Sequence, residues 1–209
     1  MQPTEALDKC VVEALTRQIE LADVLVAPLR LVERHLLQAA AYRIAAVFID
    51  GGRLWAVGNG GSHAQAAHFC TELAVRFHED RPHWPAVTLP TDVSTMTALT
   101  NDFDPAEAME RQVQAHVAAD DVLFGFTTSN SANVVAAINM AHERNANSIL
   151  LTGPLCEAVP SSCIILNVIE DGDPAATTAQ IQVAHLVILH ILADALEQWA
   201  CGLGPETAN

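Results

Sequence analysis

Residues 54–73 read Leu54-Trp55-Ala56-Val57-Gly58-Asn59-Gly60-Gly61-Ser62-His63-Ala64-Gln65-Ala66-Ala67-His68-Phe69-Cys70-Thr71-Glu72-Leu73. A short apolar run, a glycine-rich turn and an alanine-rich stretch predict strand, loop and helix. In a parallel α/β protein that junction is a natural anion site. Glycines let backbone N–H groups approach the ligand, and the helix adds its unpaired N–H groups and positive dipole end. His68 and Glu72 then follow four residues apart on the helix.

Outward from this stretch the chain alternates. Strands are expected at 54–57, 86–89, 122–126, 148–151 and 163–168, and helices at 62–76, 93–101, 105–118 and 131–144. A last long helix is expected from near Ala175 to about Trp199. This order predicts a five-stranded parallel sheet covered by helices on both faces. Upstream, Leu7, Val11, Leu15, Ile19 and Ala22 recur at helical spacing, and a second helix is expected after Pro28, up to Gly51-Gly52. We read 1–209 as one domain, with the helical pair of 1–50 serving oligomer packing and an α/β core with its last helix at 54–203. Ligands of such sheets bind at the carboxyl ends of the strands.

Composition narrows the function classes. Hydrophobic residues make up 51% of the 209 residues and charged residues 17%, and mean hydropathy is +0.24. No uninterrupted apolar run reaches the roughly 18–20 residues of a membrane span, so the apolar excess points to a homo-oligomer interface. The net charge is −15 and Lys9 is the only lysine, which argues against a nucleic-acid surface. An anionic small molecule would be held by helix N-termini, hydroxyls and a few arginines. Five scattered cysteines without a C-x-x-C spacing suggest reduced thiols, and the first residues carry no secretory pattern, so a cytoplasmic location is expected.

A second polar loop, Thr127-Thr128-Ser129-Asn130-Ser131, follows an expected buried strand. It is either a second anion cradle or simply the cap of the next helix. His68 and Glu72 can face one site as an acid/base pair or share a divalent metal; the plain alternative is a solvated i,i+4 pair. In the last helix Gln182, His185 and His190 interrupt an apolar run. A buried histidine is more often a core residue than a catalyst, and Gln182 and His190 stand about 12 Å apart along a helix axis. Arg76 is either an anion partner or the ion-pair partner of Glu72. Asp120-Asp121 reads as a turn.

Taken together, Gly58-Asn59-Gly60-Gly61-Ser62-His63 with His68 and Glu72, Asn101-Asp102-Phe103, the Thr127–Val134 loop, Leu151-Thr152-Gly153, and Ile181-Gln182 with His190-Ile191-Leu192 resemble the sugar isomerase (SIS) domain of the phosphoheptose isomerases. The resemblance covers nearly the whole chain. It implies conversion of sedoheptulose 7-phosphate to D-glycero-D-manno-heptose 7-phosphate through an enediol. Glu72 and His190 match the acid/base positions. His68, Glu72, Gln182 and His190 match zinc ligands, one ion per subunit. Asn59, Gly60, Gly61, Ser62, Asn101, Asp102, Thr127, Thr128, Ser129, Ser131 and Gln182 match substrate contacts. A homotetramer with active sites at subunit interfaces is also implied.

The chain departs from the family pattern in places. The Ser/Thr loop lacks a glycine, Ala179 and Gln180 replace an aspartate and an arginine, Thr71 replaces an acidic residue, and the loop after Gly153 is short. These changes leave the exact sugar open. The competing readings are a non-catalytic adaptor of the kind that binds a replication initiator, a sugar-phosphate sensor, or an isomerase for a different phosphorylated sugar. Retention of Glu72, Gln182 and His190 speaks against the adaptor.

Overall fold

The computed structural model describes residues 32–90, 92–154, 156–169 and 177–201. The expected first helix lies outside them. The second is seen as α1 (Arg34–Ile49), and then come β1 (Leu54–Gly58), α2 (Gly60–Ala74), β2 (Ala86–Thr88) and α3 (Val93–Asp102). A 3-10 turn at Pro105–Glu107 leads into α4 (Ala108–His116), β3 (Val122–Thr127), α5 (Ala132–Glu143), β4 (Asn147–Thr152), β5 (Ile164–Asn167) and α6 (Thr178–Ala200). The helix expected over 105–118 is thus divided: Asp104 caps the turn through Ala106 N–H, and α4 stops at His116.

All strand pairs are parallel, in the order β2-β1-β3-β4-β5. Every residue of β1 and β3 is buried, and their side chains alternate between two cores as the pleat requires. Leu54, Ala56, Val122, Phe124 and Phe126 meet α1, α2 and α6 on one face. Trp55, Val57 and Leu123 meet Met109 and Val113 of α4 and Val134, Ala137 and Ile138 of α5 on the other. These runs read as continuous apolar segments because both faces are covered.

From β1 the chain moves outward to β2, then returns to place β3 on the other side of β1. The strand order therefore reverses between β1 and β3, and the crevice beyond their carboxyl ends is where such sheets bind ligands. The loops at 59–60 and 128–131 both open there.

Two further features bear on earlier expectations. Helix α6, at 23 residues, has the length and composition of a membrane span despite its polar interruptions. Here its buried face, including Ile181, Ile188, Leu189, Leu192 and Leu196, packs into the core. Cys70 and Cys163 are free and buried, and burial pushes their thiols up to about 12 and about 11.

Candidate active site

The turn after β1 depends on its glycines at two points. A Cβ on Gly58 would stand 2.8 Å from the Ser62 carbonyl carbon, so only glycine lets the strand end pass the first turn of α2. Gly60 has φ +51°, a left-handed conformation that glycine adopts without cost. Asn59 occupies the N-cap position of α2, but its side chain makes no cap. It crosses the crevice instead: Asn59 Nδ2 donates to Asn133 Oδ1 at 2.9 Å, and Asn133 Nδ2 returns a bond to Asn59 Oδ1 at 2.8 Å. This carboxamide pair ties the two loops across the switch point. Asn59, Gly60 and Gly61 are exposed. Ser62 is buried, which separates it from the other expected contacts of that loop.

The second loop folds around Thr127, whose side chain is buried. Thr127 Oγ1 accepts from Ser129 N–H at 3.4 Å and Ser131 N–H at 3.1 Å, and donates to Ser131 Oγ at 3.1 Å. Ser131 is the N-cap residue of α5, yet its hydroxyl makes no cap hydrogen bond. The simple capping role is therefore not what the loop shows. Asn130 takes φ +51°, the conformation a glycine would supply, and accepts a bond from Thr152 Oγ1 at 3.2 Å. Asparagine tolerates that region better than most residues, which accounts for a loop that turns without a glycine.

Helices α2 and α6 pack together and bring in the ionisable groups. His68 Nε2 and His190 Nε2 are 2.9 Å apart, so one ring N–H donates to the other ring's nitrogen. Glu72 Oε1 lies 3.4 Å from His68 Nε2. Of the two readings of Arg76, the ion pair with Glu72 is not formed among the described residues, and Arg76 is exposed. Burial first, then the neighbouring His68, holds the His190 imidazole below its ordinary value; Glu72 opposes the shift and His78 adds to it. His190 is therefore neutral at neutral pH, able to take or give a proton.

Comparison with known proteins agrees with this architecture. A family model described as the SIS domain matches residues 18–153. The chain is 39% identical over 168 residues to the phosphoheptose isomerase of Laribacter hongkongensis, covering 78% of this chain and 83% of that one. It is 41% identical over 160 residues to the phosphoheptose isomerase of Thiobacillus denitrificans, covering 74% and 78%. The chain belongs to the phosphoheptose isomerase family of SIS-domain proteins. The solved phosphoheptose isomerase of Neisseria gonorrhoeae matches with a TM-score of 0.67 and 32% identity, over 93% of this chain and 98% of that one.

Within this SIS domain, His68, Glu72 and His190 form a group whose ligand atoms all lie within 4.8 Å of one another. Two nitrogens and a carboxylate oxygen are a zinc donor set, and ligands of one tetrahedral zinc stand about 3.4 Å apart. The 3.4 Å between Glu72 Oε1 and His68 Nε2 matches that spacing, whereas the 2.9 Å between the two Nε2 atoms is the ring-to-ring hydrogen bond that a shared ion would replace. Gln182 lies elsewhere on α6: a Cβ on Gly61 would stand 2.6 Å from its Nε2, and its carbonyl accepts from Gln65 Nε2. Its carboxamide thus faces the glycine loop. Asn101 and Asp102 end α3, where Asn101 Nδ2 donates to Asp102 Oδ1 at 2.7 Å; no residue of α3 is buried.

Gln180, Asp121 and Glu197 have roles hidden from sequence reading, whereas His185 takes the expected place of a core histidine. Gln180 closes a capping box with Thr177 at the start of α6. His185 is fully buried, and burial pushes its imidazole down to about 4, opposed by the Thr152 backbone. Asp121 is a buried acceptor for Arg53 N–H, Trp55 Nε1–H and Ala118 N–H, far more than a turn residue. Glu197, which drew no attention in the sequence, is buried beside the loop that follows α2.

Proposed function

We propose that this protein is an aldose–ketose isomerase that converts sedoheptulose 7-phosphate to D-glycero-D-manno-heptose 7-phosphate. The observation that carries the reading is the meeting of His68, Glu72 and His190 where α2 packs on α6, in a chain whose relatives are phosphoheptose isomerases. A pure adaptor has no use for a neutral imidazole and a carboxylate at this distance.

Phosphate is assigned to Thr128, Ser129 and Ser131 and to the N-terminus of α5, and Thr127 shapes that loop from within. The sugar hydroxyls are assigned to Asn59, the N–H groups of Gly60 and Gly61, and the Gln182 carboxamide that faces them. Ser62, being buried, shapes the turn and leaves these contacts to its neighbours.

Glu72 removes the C1 proton of the ketose, and the C1–H electron pair forms the C1–C2 double bond of an enediolate. His190 protonates O2 and takes up the proton of O1. The carboxylic acid of Glu72 then returns its proton to C2, giving the aldose and restoring the starting enzyme. Glu72 Oε1 is the oxygen that faces His68, which leaves Oε2 for the carbon-bound proton. His68, Glu72 and His190 would hold a zinc ion, with Gln182 as the fourth ligand implied by the family. When bound, zinc stabilises negative charge on the sugar oxygens.

We also read the protein as a cytoplasmic homotetramer with sites at subunit interfaces. The support is physical: among the described residues no residue of α3 is buried, yet the helix carries Asn101 and Asp102. Val93, Phe103, Val183 and Ile191 are exposed apolar residues that a partner would cover. The substrate test is a turnover assay across ketose phosphates of six and seven carbons, with and without added zinc. The seven-carbon phosphate should be turned over fastest. Turnover of a six-carbon phosphate alone would favour the isomerase of a different sugar, and no turnover of either would favour a sensor or adaptor.

A further inference from the structure

Glu197 lies on α6, seven residues after His190 and so about two turns along on the same side of the helix. Its side chain is 2% exposed. Oε1 accepts from Phe77 N–H at 2.9 Å, and Oε2 accepts from His78 N–H at 2.6 Å and Glu79 N–H at 2.9 Å. Arg81 Nε lies 3.4 Å from Oε1, and the arginine side chain is 1% exposed.

The guanidinium then reaches back to α2. Arg81 Nη2 donates to the Glu72 carbonyl at 2.7 Å, and Nη1 donates to the Leu73 carbonyl at 2.9 Å. Its carbon lies 3.7 Å over the Trp84 ring. These carbonyls belong to the last turn of α2, which ends at Ala74 and has no helical partner for them. The Phe77 ring, whose own N–H Glu197 holds, lies 5.4 Å from the His190 ring at 33°.

We infer that Glu197 and Arg81 are positioning residues for the isomerisation, fixing Glu72 on α2 against His190 on α6. The inference rests on the assignment of Glu72 and His190 to proton transfer. Glu72 stands in the last turn of its helix, the part most prone to fray, and α6, which carries His190, packs against that helix. One carboxylate on α6 fixes the return loop, and one guanidinium passes that constraint to the backbone of Glu72. Through Phe77 the same carboxylate packs the other proton-transfer group. The bond to the Glu72 carbonyl also serves as a helix C-cap; the contact of Phe77 with the His190 ring is what ties the brace to the site.

The test compares Glu197→Gln and Arg81→Lys with wild type, and uses Asp121→Asn as a control. Asp121 also accepts three N–H groups, but from residues at the entries of β1 and β3, with no bond to α2 or α6 among the described residues. Displacement of a reacting group by about 1 Å can cost about 10²-fold in rate. Glu197→Gln should therefore lower kcat by about 10²-fold while KM for the sugar phosphate stays near the wild-type value. Arg81→Lys keeps the charge but loses the fork, and should show a smaller fall of the same kind. The second readout is long-range proton–nitrogen NMR of the imidazoles without substrate. In both variants the His68 and His190 signals should shift, with His185 unchanged. Asp121→Asn should lose thermal stability and leave kcat and both histidine signals alone.

Wild-type kcat in a folded Glu197→Gln protein, with unmoved His68 and His190 signals, would overturn the inference. If that variant does not fold, the same pair of results for Arg81→Lys overturns it. If wild type itself shows no turnover while the histidine signals respond as described, the isomerase assignment fails and the positional coupling stands.

Discussion

Two buried carboxylates, Asp121 and Glu197, both lie toward the amino end of the sheet and use the same bonding for different purposes. Each accepts three N–H groups: Asp121 from Arg53, Trp55 and Ala118, and Glu197 from Phe77, His78 and Glu79. Asp121 precedes β3 at its amino end and joins it to the entry of β1, where no candidate chemistry lies. Glu197 adds a buried cation, and that cation holds the backbone of Glu72. A satisfied buried carboxylate is thus not itself a sign of function. What distinguishes the two is the neighbour to which the hydrogen bonds lead.

The largest expected effect lies at the group the brace serves. Glu72→Gln should lower turnover by about 10³-fold, within the range for loss of a general base, and leave the thermal midpoint almost unchanged. His190→Gln should behave alike. If either substitution unfolds the protein instead, the contact of α2 with α6 is a stability element and the contrast with Asp121 collapses.

Next comes Asp121. Asp121→Asn leaves one N–H acceptor in place of a charged pair of oxygens, and should cost about 1–3 kcal/mol in urea unfolding. Turnover per folded molecule should match wild type. A fall in kcat at unchanged folded fraction would show that the Asp121 and Glu197 networks are not independent.

Acid sharpens the same contrast. Burial raises the Glu197 carboxyl, but the backbone N–H groups of Glu79, Phe77 and His78, together with Arg81, outweigh it and hold the group below its ordinary value. The charged groups around it are Arg81, His78, Glu79 and Asp194. A carboxyl held lower in the folded chain than in the unfolded one contributes stability above the ordinary glutamate value of about 4.3. That contribution is lost as pH falls through the folded value. The stability gap between wild type and Glu197→Gln should therefore be full at neutral pH and close in stronger acid. A gap that widens in acid would reverse the sign.

The smallest effect is expected at the glycine loop. A Cβ on Gly61 meets the far end of the Gln182 side chain, which can move aside. Gly61→Ala should raise KM modestly, with kcat and thermal midpoint little changed. A large stability loss there would mean that the carboxamide is fixed and structural.

Much of this architecture is legible in the chain. Both-faces-buried strands such as 122–127 read as apolar runs, and the Gly-rich and Ser/Thr loops mark the carboxyl edge. His68 and Glu72 share a helix, so their spacing carries their proximity. His190 meets them through packing of α2 on α6, which local pattern does not encode and only family resemblance suggested. Asp121 looked like a turn because its three donors come from segments far apart in sequence. Glu197 was hidden among exposed neighbours at the end of α6. One signal was available: it falls on the stripe of Leu189, Leu192, Ala193 and Leu196, where an unpaired charge is costly. Its partner Arg81 lies over a hundred residues away in a loop rich in other charges, so the pair had no pattern to show.

The central claim is that Glu72 moves a carbon-bound proton of a heptose phosphate. The most direct measurement is NMR of sedoheptulose 7-phosphate incubated with the enzyme in D2O, beside Glu72→Gln. The account predicts deuterium at C2 of the aldose and at C1 of the recovered ketose with wild type, and neither with the variant on the same timescale. Aldose formed at equal rate by Glu72→Gln, or no exchange by the wild-type protein with or without zinc, would contradict it.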